Sequence, residues 1–129
     1  MKTASTIAIF CAGGGLTRYY LSGWVYSQFG RAFPYGTFAV NIIGAYFIGL
    51  VMELGLRTIA ISDTMRLGLT VGFMGGLTTF STFSYETFKM LEDGQFTIAF
   101  VNILVSVAAC LLFTWLGIIT VRAMIQGGL

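Results

Sequence analysis

Four apolar stretches occupy nearly all of this 129-residue chain, and only short links separate them. They cover about residues 4–28, 35–56, 65–91 and 96–123. A helix of about 20 apolar residues crosses the hydrocarbon core of a bilayer, so each stretch is long enough to span. The links Phe29–Pro34, Arg57–Thr64 and Glu92–Gln95 leave no room for a soluble domain. Pro34 suits a helix start, where its missing N–H costs nothing. Charged residues make up 9% of the sequence, whereas a soluble domain carries about 25%. The pattern predicts an all-α integral membrane protein, one transmembrane domain over residues 1–129. The first stretch contains Arg18 and lacks the layout of a cleaved leader, so it is read as a retained helix.

Composition narrows the chemistry. The formal net charge of +2 is scattered, and it implies neither nucleic acid nor an acidic substrate. There is no histidine, hence neither the commonest general base nor the commonest metal ligand. Cys11 and Cys110 stand alone within apolar segments; the spacing suggests no zinc or redox site, and small buried hydrophobes are the plain reading.

Four crossings would put both termini on one side. Lys2, Arg57, Arg66 and Arg122 lie on or near it; Arg31 and Lys89 lie opposite, with Arg18 in the outer part of the first crossing. Lys/Arg bias sets orientation, and here it is weak. Insertion in both directions follows as one reading, and chance near-balance in a short chain as the other. Oppositely oriented copies could pair about an axis in the membrane plane, as inverted repeats do within larger transporters. Pairing would also bury polar residues that a lone copy shows to lipid.

The third stretch is anomalous. Residues 75–84 read Gly-Gly-Leu-Thr-Thr-Phe-Ser-Thr-Phe-Ser. Non-helical backbone at bilayer depth survives only where protein buries it or a wet cavity receives it. Gly68, Gly72 and Gly76 recur every four residues, a spacing that lets helices approach closely. Gly75 adjoins Gly76, and β-branched Thr78 and Thr79 follow. Adjacent glycines tolerate unusual dihedrals and threonines form helix poorly, so a break is predicted around Gly75–Thr79. It would free carbonyls able to hold a cation.

Beyond the break, Phe80 and Phe83 share one face, Ser81 and Ser84 a second, Thr82 and Glu86 a third. A ring edge can meet an anion and a ring face a cation; simple core packing is the alternative for both rings. Thr37 and Asn41 are one turn apart on the second crossing, and Asn102 and Ser106 repeat that spacing on the fourth. Asn41 can offer donors to a solute or bond a neighbouring helix. Arg18 is an intramembrane cation, a functional feature by default, or else a side chain reaching for the headgroups. Glu86 is the one carboxylate well inside a crossing, and Glu53 lies near a helix end.

Together these residues resemble a known family. The 75–84 motif, preceded by Gly72, is similar to the signature of the Fluc (CrcB) fluoride channels; Gly36-Thr37 with Asn41 and Gly44, and Gly15 with Arg18, resemble that family's second- and first-helix patterns. The resemblance covers the whole chain. It implies an antiparallel, dual-topology homodimer in the cytoplasmic membrane, with two pores that export fluoride passively. Under it, Phe80 and Phe83 present ring edges to fluoride, Asn41 is the pore-lining amide, and Ser81, Thr82, Ser84 and Thr37 supply hydroxyls. Arg18 serves the vestibule. Gly75 and Thr78 offer carbonyls to a structural sodium ion shared by both subunits. Ser106, Asn102 and Glu86 are further polar lining that no fixed motif matches.

Two rivals differ in their acids. A proton-coupled small multidrug exporter depends on a glutamate in the first helix, where this chain has Arg18 and no acid. A membrane kinase needs several carboxylates for metal and phosphate, and only Glu86 is well placed. No enzymatic role is expected.

Overall fold

The computed structural model describes residues 2–127; residue 1 and residues 128–129 of the expected domain lie outside the described residues. Four helical rods run through it. The first is α1 (Lys2–Phe29) and the second α2 (Tyr35–Arg57). The third is composite: α3 (Asp63–Leu67), a π-helical segment (Gly68–Met74), α4 (Gly75–Leu77) and α5 (Phe80–Glu92). The fourth is α6 (Phe96–Gln126). Two of them, α2 and α6, are long and apolar enough to cross a membrane, with mean hydropathies of 1.8 and 2.5 over their best windows.

The rods end where local chemistry ends them. Gly30 takes φ +76° directly after α1, its N–H bonded to the Tyr26 carbonyl. Gly94 takes φ +73° after α5. There the Gly94 N–H meets the Leu91 carbonyl and the Gln95 N–H the Met90 carbonyl, the paired bonds of a Schellman stop that a left-handed glycine permits. Ser62 caps α3 by accepting from the Met65 N–H.

Small residues set how closely the rods approach. A Cβ on Gly76 would stand 2.9 Å from the Gly15 nitrogen and overlap the Cys11 carbonyl; one on Gly72 would stand 2.8 Å from the Ile7 carbonyl. The glycine stripe of the third rod is therefore the surface on which α1 lies. At the α2–α6 crossing, Gly49 abuts the Thr114 carbonyl and Gly117 the Tyr46 carbonyl. Lipid tails are as apolar as leucine, so close backbone packing of this kind is what associates membrane helices.

The apolar interior is small. Val40, Met74 and Leu77 form its packed cluster, with Leu21 and Phe73 against them, and Val25, Val51, Ala99 and Val121 are buried outside that cluster. Much of the apolar surface faces outward instead: Phe100 is 61%, Leu111 68% and Trp115 55% exposed. A surface so widely apolar belongs in lipid or against another chain, not in water. At one end, buried Glu53 on α2 accepts from the Arg57 Nε and, at 2.7 Å, from the Arg122 Nε of α6.

Candidate functional site: a helix break between two hollows

The third rod stops being helical at Thr78 and Thr79, which take extended dihedrals (φ −82°, ψ 158° and φ −151°, ψ 110°). Gly75 itself is helical, at φ −62° and ψ −36°. Gly76 serves close packing against α1, Gly75 has open space beside it, and the β-branched pair turns the chain. Two residues of extended backbone must find partners for their polar groups. Asn41 on α2 supplies them: its Nδ2 donates to the Thr79 carbonyl at 3.1 Å, and its Oδ1 accepts from the Thr79 N–H at 2.7 Å. In an unbroken helix that N–H would have gone to the Gly75 carbonyl. Arg18 on α1 donates from Nη1 to the Thr78 carbonyl at 3.1 Å.

Thr79 restarts the helix. Its hydroxyl accepts from the Thr82 N–H at 3.1 Å, a side-chain N-cap, and donates to the Thr82 hydroxyl at 2.9 Å. Ser81 Oγ lies 3.3 Å from the same hydroxyl. Sequence reasoning left Thr79 unassigned, although a threonine directly behind a break is an N-cap signal.

One hollow is an open groove of about 440 Å³ on the α2, α5 and α6 side of the break. Asn41, Gly75, Thr78, Phe80, Phe83 and Ser106 all line it, with Gly44, Cys110 and Thr114. The Phe80 and Phe83 rings stand 5.4 Å apart between centroids, tilted by 44°. Phe80 is 78% exposed in the single chain. Gly44 brings the groove wall against Thr78, whose Cγ2 fills the space a Cβ would need.

The second hollow, about 370 Å³, lies on the α1 side of the break. Arg18, Thr37, Thr82 and Glu86 line it, with Ser22 and Tyr26. Tyr26 was not foreseen. Its hydroxyl donates to Glu86 Oε1 at 2.8 Å and lies 3.3 Å from the Thr37 hydroxyl. A tyrosine near a helix end reads from sequence as an interfacial anchor, so no signal marked it.

The remaining expected residues sit elsewhere. Ser84 bonds back to the Phe80 carbonyl at 2.9 Å and, like Ser81, lines neither hollow. Asn102 is fully buried, donating to the Thr87 hydroxyl at 2.8 Å while its Oδ1 accepts from the groove residue Ser106 at 3.2 Å. Among the described residues no cluster of three His, Cys, Asp or Glu could hold a metal ion.

Known proteins are similar to this chain over nearly its whole length. A fluoride-specific ion channel FluC of Trichlorobacter lovleyi is 79% identical over 96% of the chain and 99% of its own length. The protein of the same description from Pelobacter propionicus is 74% identical over 99% of both chains. That of Geotalea uraniireducens is 65% identical over 96% of this chain and its whole length. The family described as CrcB-like protein, Camphor Resistance (CrcB), matches residues 5–118. With that match over most of its length, the chain belongs to the CrcB family.

Proposed function

We propose that the chain forms a fluoride-selective channel that lets fluoride leave the cell passively across the cytoplasmic membrane. The observation that carries this reading is the meeting of the Phe80–Phe83 pair with a hydroxyl-lined helix break at one groove. Fluoride gives up its water only to good donors, yet a conducting site must also release it. Ring edges, hydroxyls and an amide are neutral donors of moderate strength; a ring of arginines would hold the ion. The relatives, named as fluoride-specific ion channels, agree with the reading.

In this proposal all four rods cross the membrane, the third with its break at bilayer depth, and two copies pair antiparallel. The open apolar groove and the outward-facing Phe80 support pairing. Each dimer then has two pores. Phe80, Phe83, Asn41, Thr37 and Thr82 border the route where they line the two hollows; the family resemblance alone adds Ser81 and Ser84, Ser106 and Glu86 join it, and Asn102 braces Ser106. Arg18 draws anions into the α1-side hollow.

The sodium proposal rests on the break. The Thr79 N–H is diverted to Asn41, which leaves the Gly75 carbonyl free of that partner. The Thr78 carbonyl takes Arg18 on one lone pair and keeps a second. Two carbonyls per chain suit a hard monovalent cation only if a second copy contributes its own pair. Such an ion would tie the two breaks together on the dimer axis.

The test is direct. The purified protein is reconstituted in liposomes loaded with fluoride and chloride, and efflux of each is followed with ion electrodes. Fast fluoride efflux with chloride retained is expected, without any proton gradient. Fluoride release no faster than from protein-free liposomes, or equal chloride release, would overturn the proposal.

A further inference from the structure

A hydrogen-bonded chain crosses three helices beside the α1-side hollow. The Tyr26 hydroxyl of α1 has one proton, and it goes to Glu86 Oε1 of α5 at 2.8 Å. The contact with Thr37 Oγ1 of α2, at 3.3 Å, must therefore be donated by the threonine. The order is Thr37 to Tyr26 to Glu86. Hydrogen bonds in series polarise one another, so each is strengthened by the next.

The tyrosine ring is fixed independently of its hydroxyl. Gly36 of α2 lies against it so closely that a Cβ there would stand 2.7 Å from Tyr26 Cδ2. The Arg31 guanidinium covers it, 4.9 Å from the ring centroid. Glu86, by contrast, depends on the tyrosine. Its Oε2 is buried and has no partner among the described residues. Arg18, which lines the same hollow, spends Nη1 on the Thr78 carbonyl.

We propose that Tyr26 is a positioning residue for conduction: its hydroxyl holds the Glu86 carboxyl on the wall of the hollow that Arg18, Thr82 and Glu86 share. The inference rests on the anion-channel reading above. Without the hydroxyl, the glutamate loses its only anchor among the described residues and its flexible side chain is free to turn into the hollow. There it opposes an anion directly, or pairs with Arg18 and cancels the charge that gathers anions. Charge at the mouth of a narrow cleft changes entry rates by about 10-fold to 1,000-fold.

The experiment is a double-mutant cycle on the reconstituted full-length protein, read as initial fluoride efflux. Wild type must first release fluoride and retain chloride; failure there counts against the channel reading, not against this one. Tyr26→Phe keeps the ring and removes the hydroxyl, and its efflux should fall at least about tenfold. In the Glu86→Gln background the same change should alter efflux by less than about twofold, because no charge remains to misplace. Gly36→Ala, which pushes the ring without deleting the hydroxyl, should give a loss that Glu86→Gln also relieves. A Tyr26→Phe protein that conducts like wild type would overturn the proposal. So would equal losses with and without the Glu86 charge, which mean the tyrosine acts through packing alone. Size-exclusion elution of each variant as wild type excludes misassembly.

Discussion

Asn41 holds Thr79 by both of its peptide groups, donating to the carbonyl and accepting from the N–H. A side chain on α2 thus stands in for the helical partners that the third rod gives up when it breaks. Thr79 is only 7% exposed, so water cannot take over those bonds. Leaving a buried polar group unpaired costs about 1–3 kcal/mol.

Asn41→Ala should therefore lower the stability of the detergent-solubilised protein by about 2 kcal/mol or more, since two groups lose partners together. Asn41→Asp keeps the acceptor for the Thr79 N–H and loses the donor, so its melting temperature should fall between the two. A thermal melt with fluoride efflux measured in parallel checks the order. An Asn41→Ala protein as stable as wild type would mean the break is held by other contacts.

The phenylalanines are predicted to matter for transport more than for folding. Phe80 is mostly exposed and Phe83 packs against it on the groove wall. Phe80→Ile or Phe83→Ile keeps an apolar side chain and removes the ring edge. Each should suppress fluoride efflux from liposomes at least about tenfold, while elution in detergent stays that of the assembled protein. Undiminished efflux in both single variants would remove the rings from the ion's route.

The glycine stripe makes a separate prediction about packing. An added Cβ on Gly76 would overlap the Cys11 carbonyl, whereas one on Gly23 meets nothing within 4 Å. Gly76→Ala should destabilise by about 1–3 kcal/mol, the range for overfilling a tight contact. Gly23→Ala should be neutral or slightly stabilising, as alanine forms helix better than glycine. Melting temperatures of the two variants compare them directly.

How much of this was readable in advance depends on whether a feature is local. Apolar runs and their punctuation are local, and so Pro34 before α2 and the link Glu92–Gln95 after the third stretch were placed from sequence. The anomaly at residues 75–84 was equally visible. Its inner geometry was not, because glycine permits a break without requiring one. Gly75 and Gly76 both remain helical; α1 lies on Gly76, while a Cβ at Gly75 would meet only the Thr70 carbonyl of its own rod at 3.9 Å, and the turn passes to Thr78 and Thr79. The partners were least legible of all. Asn41 and Thr79 are 38 residues apart, and Tyr26 and Glu86 are 60 apart. Only the packing of rods brings them together, and no periodicity encodes which hydroxyl finds which carboxyl. Asn102 was opaque for the same reason: polar at depth, it bonds Thr87 of α5 and Ser106 of its own helix and lines neither hollow.

Glu53 is predicted to bind α2 to α6 and to have no part in conduction. It lines neither hollow, and both of its arginine contacts fall on one oxygen, Oε1. Arg57 belongs to its own helix, one turn on, whereas Arg122 comes from α6, so only the second bond ties the two rods. Both arginine side chains are half-exposed and keep water when the acid is lost, while the glutamate is buried. The penalties are therefore unequal. Arg122→Ala should lower the melting temperature more than Arg57→Ala, because it severs the link between rods. Glu53→Gln, which can still accept from one arginine, should fall less than Glu53→Ala. Fluoride efflux per assembled protein should stay within about twofold of wild type in all four, as expected for sites that share no partners with the route. Loss of efflux in Glu53→Gln with an unchanged melting temperature would place the acid on the ion's path instead.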